Sequence, residues 1–92
     1  MNQCIRIMII IEGQKESLHA LVKKYAQECA LEGMVQAISD TKVRVVACGN
    51  RDNVDMFIDA LHKGVSEKLI DNLEVEPFMK DRDYRGVFRV IE

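Results

Sequence analysis

A chain of 92 residues with 48% hydrophobic and 30% charged side chains has the make-up of one small globular domain rather than a disordered segment. A chain of this size buries roughly 60–65% of its unfolded surface, enough for a modest core, and 1–92 is read as a single domain. A formal charge of -2 offers no general attraction for nucleic acid or for an anionic membrane, so neither is expected as a partner.

The first element is a strand. From Ile5 to Ile11 β-branched residues dominate, with Ile5, Ile7, Ile9 and Ile11 on one face and Arg6, Met8 and Ile10 on the other. The run Ile7 to Ile11 is too short to span a bilayer and is followed at once by charges, unlike a secretory leader, so a cytoplasmic location is expected. After the polar stretch "GQKES", Leu18, Leu21, Val22, Tyr25, Ala26 and Cys29 recur at helical spacing, which predicts a helix from about Ser17 to Ala30 with Gly33 beyond its end.

"MVQAISDTKVRVVACG" reads as two strands joined by a tight turn near Asp40 and Thr41. Asn50 is the expected N-cap of a second helix carrying Val54, Phe57, Ile58 and Leu61, which Gly64 is expected to stop, with His62 and Lys63 at its negative end. Leu69 to Val75 can form a strand that Pro77 breaks, and Val87 to Ile91 alternates as a last edge strand after the loop "MKDRDYRG". The order β-α-β-β-α-β with a short terminal strand defines an α+β, ferredoxin-like α/β sandwich with two helices on one face of an antiparallel sheet. Cys4, Cys29 and Cys48 are odd in number and form no C-x-x-C pair, so reduced structural thiols are expected rather than a disulfide or a zinc site.

The second half carries a family resemblance. "KVRVVACGNRDNVDMFIDALHKG", "GVFRVIE" and, in the first half, "ALEGMVQA" resemble the corresponding stretches of the acylphosphatase family, and the likeness runs from about Ile5 to Ile91. What the resemblance implies is hydrolysis of a carboxyl-phosphate anhydride with no cofactor. A glycine-rich loop after the first strand wraps the phosphate, its Arg clamps the oxygens, and an Asn on the second strand holds the attacking water. The chemistry calls for these types, because a planar guanidinium binds phosphate oxygens bidentately and the water needs a polar side chain to aim it.

The sequence departs from that pattern at both positions. Counting back from Gly33 puts His19 where the family has its Arg, and counting forward from Gly13 puts Leu21 there. Ala37 falls where the Asn belongs, and the adjacent Gln36 points to the opposite face of the strand. No catalytic residue is therefore assigned. The loop and helix start, Gly13, Gln14, Lys15, Ser17 and His19, are the expected binding set for phosphate, sulfate or an acyl phosphate, since the first N–H groups of a helix lack intrahelical partners. Arg82 or Arg85 from the late loop is a further candidate to reach the site.

Other constellations are weaker. Asp81, Asp83 and Glu76 lack the spacing of a calcium loop, and His19 and His62 are isolated, so no metal is expected. Two functions compete: a binding or interaction module without the family's catalysis, and an acylphosphatase working through Lys15 or His19. For the first, the sheet face away from the helices, with Met8, Ile10 and Val46, is the expected surface for a second copy or a protein partner.

Overall fold

A computed structural model describes residues 2–11, 15–66, 70, 72–77 and 87–91. The elements run β1 (Asn2–Ile10), α1 (Lys15–Glu28), β2 (Glu32–Ala37), β3 (Lys42–Asn50), α2 (Arg51–Ser66), β4 (Asn72–Pro77) and β5 (Phe88–Ile91). They form one five-stranded sheet of order β4-β1-β3-β2-β5. All pairings are antiparallel except β2 with β5, which is parallel, so the sheet is mixed where an antiparallel one was expected. β5 does take an edge, and Pro77 ends the other edge strand, where its missing N–H is tolerated.

The alternation along β1 sorts the two faces. Ile5, Ile7, Ile9 and Ile11 are all buried in the main core together with Val35, Val43, Val45 and Ala47 from the neighbouring strands. The helices close that core with Leu18, Val22, Ala26 and Cys29 from α1 and Val54, Phe57 and Leu61 from α2. Phe57 meets Phe88 of β5 edge to face with ring centroids 6.4 Å apart, which ties α2 to the last strand.

Each helix end has a physical cause. Asn50 caps α2 as expected, its side-chain oxygen accepting the Asn53 N–H at 2.9 Å. Gly64 does not stop α2, which continues to Ser66. This glycine is buried, and a Cβ on it would lie 3.1 Å from the Ile70 Cδ1, so its role is to let Ile70 pack against the helix. α1 begins at Lys15, before Ser17, and closes with a Schellman motif in which Leu31 N–H donates to the Ala26 carbonyl at 2.9 Å and Ala30 N–H to Gln27 at 3.1 Å.

The left-handed residue of that motif is Ala30, with φ 55°, where glycine is the unstrained choice. Ala30 is exposed, so its methyl contributes no core packing. Ala30→Gly should therefore stabilise the fold by about 1 kcal/mol, the cost of holding an L-residue left-handed. A urea midpoint that is unchanged or lower would refute this.

The opposite face of the sheet has a core of its own. Met34, Val46 and Cys48 are buried there, and Cys4 and Ile91 pack against them. Cys4 and Cys48 face each other across β1 and β3 and form a disulfide, which corrects the expectation of reduced thiols. Their 4.1 Å Cα separation marks a pair lying between ladder hydrogen bonds, where facing side chains are closest. Cys29 remains a free, buried thiol, and burial, aided by the Glu28 charge, pushes its pKa up.

Candidate functional site

The end of the sheet where β1 leaves for α1 is defined by strand register. Ile9 pairs with Val43, and Val43 with Ala37, so Ala37 lies in the row next to the start of the connection. The Ile11 N–H donates to the Thr41 carbonyl at 2.9 Å, which holds the end of β1 beside the β2–β3 turn. The first N–H groups of α1, unpaired within the helix, belong to this same end and carry the positive pole of its dipole.

His19 is in the first turns of α1, in line with the buried Val22 and Ala26. It is 6% exposed, buried with Leu18 and Val22, and its Nε2 has no hydrogen-bond partner among the described residues. A buried imidazole nitrogen without a partner is costly and calls for an explanation in the local chemistry. Lys15 and Ser17 are the first and third residues of α1. Their side chains, together with Gly13, Gln14, Arg82 and Arg85, lie outside the described residues, as do Asp81 and Asp83.

Ala37 shares the helix-facing side of β2 with the buried Val35, and its methyl group offers nothing to orient a water. Gln36 is on the other face, where it accepts a hydrogen bond from the Arg44 Nη2 at 2.9 Å. None of the described arginines is at the start of α1. Arg6 pairs with Glu76 on the outer sheet face, Arg44 holds Gln36 there, Arg89 sits in register with Met34, and Arg51 opens α2 at the far end of β3. No group of three His, Cys, Asp or Glu side chains suited to a metal occurs among the described residues.

The outer sheet face is less open than alternation alone suggested. Met8 and Ile10 are half-buried, but Val46 is only 3% exposed. Sequence reasoning also missed the cleft of about 460 Å³ between Lys23, Gln27, Leu31 and Val87, because it is made by the approach of β5 to the C-terminal end of α1. Nothing local in the sequence marks that approach.

Two helices on one side of a mixed sheet in this strand order define the ferredoxin-like class of α+β sandwiches. Within that class the acylphosphatase family model matches residues 14–90, and the chain belongs to that family. It is 31% identical over 87 residues to an acylphosphatase of Coxiella burnetii, covering 95% of this chain and 90% of the relative. With an acylphosphatase of Caldivirga maquilingensis the identity is 27% over 89 residues, 94% of either chain. The solved structure of an acylphosphatase from Coxiella burnetii superposes with a TM-score of 0.83 at 30% identity, covering 98% of this chain and 93% of that one. The Bacillus subtilis acylphosphatase structure shares the fold at a TM-score of 0.83 and 20% identity, over 100% of both chains.

Proposed function

We propose that this acylphosphatase-family chain has lost the family's hydrolysis and works as a small cytoplasmic anion-binding or protein-interaction module. The observation that carries this reading is the pair Gln36 and Ala37. The position from which a water would be aimed holds a methyl group, and its polar neighbour is engaged by Arg44 on the opposite face. The N–H groups at the start of α1 keep affinity for phosphate or sulfate without a guanidinium, as a helix N-terminus does. Gly13, Gln14, Lys15, Ser17 and His19 form the binding set in this reading. The half-buried Met8 and Ile10, beside the closed Val46, give the outer face a strip for a second copy or another protein.

A competing reading is supported by the unpartnered Nε2 of His19: the protein is an acylphosphatase whose remodelled loop uses Lys15 or His19 on the phosphate. Hydrolysis of benzoyl phosphate, run beside the Coxiella burnetii acylphosphatase, separates the two. Loss of one oxyanion donor typically costs about 10²–10³ in rate, so the absence of both the clamp and the water-holding group should leave turnover at least about 10⁴-fold below the control. Turnover within about tenfold of it, a difference of about 1.4 kcal/mol in barrier, would overturn the proposal. His19→Ala or Lys15→Ala would then be expected to reduce the rate sharply, and indifference of both would leave that reading without its site.

A further inference from the structure

We infer that the Cys4–Cys48 bridge is a thiol-exchange site that works in the folded protein. A small thiolate attacks Cys4 Sγ at the outer sheet face and is held there as a mixed disulfide, with Cys48 as the buried thiol that closes the bridge again. A purely structural bridge would instead open only when the chain unfolds.

The strand order sets which sulfur is attacked. A thiolate displaces one sulfur of a disulfide in line with the bond it breaks, from the side away from the leaving sulfur. For Cys4 that side is the β4 side of β1, because its partner Cys48 is on β3. β4 stops short of it. The ladder of β1 with β4 runs from Ile10 and Asn72 only as far as Ile5 and Pro77, so no strand flanks Cys4 there among the described residues. Cys4 is also only half-buried. For Cys48 the corresponding approach comes from the β2 side of β3 and is closed. Glu32 of β2 stands in register with Cys48, and Cys48 is 1% exposed, in a buried cluster with Met34 and Val46.

The exchange needs no oxidant. The incoming sulfur bonds to Cys4 Sγ as the Cys4–Cys48 bond breaks, and Cys48 leaves as a thiolate that takes a proton from water. A second small thiol can then displace the first from Cys4, giving two protein thiols and one small disulfide. In the reverse direction Cys48 gives up its proton, attacks Cys4 Sγ and expels the small thiol, which restores the bridge. The pairing of β1 with β3 sets these two residues opposite each other, with Cα atoms 4.1 Å apart. Closing is therefore intramolecular and outpaces attack from solution once free thiol is scarce.

The test is opening of the bridge in oxidised Cys29→Ala, which leaves only this pair to report, by 2-mercaptoethanesulfonate at neutral pH. Acid quenching, alkylation of free thiols and peptide mass spectrometry locate the products. Doubling the thiol should double the opening rate, and urea well below the unfolding transition should leave that rate unchanged. The quenched intermediate should carry the small thiol on Cys4 and the alkyl group on Cys48. Freed of excess thiol and returned to neutral pH, it should expel one small thiol per chain as the bridge closes. A rate that levels off as thiol is raised, or that climbs in low urea, would mean that the chain must unfold first and would overturn the inference. So would a small thiol found on Cys48 in place of Cys4, or an adduct on Cys4 that fails to close.

Discussion

Gly33→Ala should abolish the native fold, or lower its stability by about 4 kcal/mol or more, the range reserved for strain and overpacking at special backbone positions. Gly33 has φ 146°, a conformation that L-residues rarely adopt, and it lies within β2 between Ala47 of β3 and Phe88 of β5. A Cβ there would overlap the Val46 carbonyl oxygen and come 2.8 Å from its carbon. Those atoms are backbone, so relief requires β2 and β3 to separate, and Val35 and Met34, both buried, would lose their packing with them. Gly49→Ala is the control. Its Cβ would meet the Leu31 Cδ2, the end of a side chain that can turn aside, and the cost should stay nearer 1–3 kcal/mol. Urea denaturation of the two variants beside the wild type decides the matter. A Gly33→Ala midpoint equal to that of Gly49→Ala would show that the strand contact yields more readily than its geometry implies.

The same glycine shows where sequence reading works and where it stops. As a residue beyond the end of α1, Gly33 is a plausible helix stop. Its actual constraint comes from β3, a partner that no local pattern names, while the left-handed cap falls on Ala30, a residue with no such signature. The helices and the β2–β3 hairpin were legible because their causes are local: an Asn50 cap, a 3.6-residue apolar stripe, a polar turn between two β-rich runs. Facts that depend on register were not. Cys4 and Cys48 meet only because β1 pairs with β3 in one alignment, and a slip of one residue would turn one of them to the other face. The parallel union of β2 with β5 is likewise a long-range choice.

At the candidate site the opposite holds for one residue and not for another. The outward turn of Gln36 follows from strand alternation, and its bond to Arg44 bears it out. The burial of His19 is hidden by its polarity, although its spacing of three from Val22 and seven from Ala26, both fully buried, puts it on the core face of α1. It depends on how closely the first turns of α1 lie against the sheet.

Reduction of the Cys4–Cys48 bridge should lower the stability of the protein by about 4 kcal/mol in the chain-entropy account of a disulfide that closes a loop of this length. The two residues are 44 apart in sequence, and the closed segment contains α1, β2 and most of β3, so the bridge restricts nearly half of the unfolded chain. Against a total of about 5–15 kcal/mol for a small domain, the loss is large and should appear as a fall of roughly 15–30 °C in Tm. Cys29 does not interfere, because it is a single free thiol in the main core. Thermal scans of oxidised Cys29→Ala with and without a phosphine reductant measure the difference directly, and the Cys4→Ser variant should match the reduced protein. Coincident scans would mean that β1 and β3 are already so constrained in the unfolded ensemble that the bridge removes little further freedom. A full shift would make the redox state of this one pair a leading determinant of how much folded protein is present, because a change of that size alters the ratio of folded to unfolded chains by about a thousandfold.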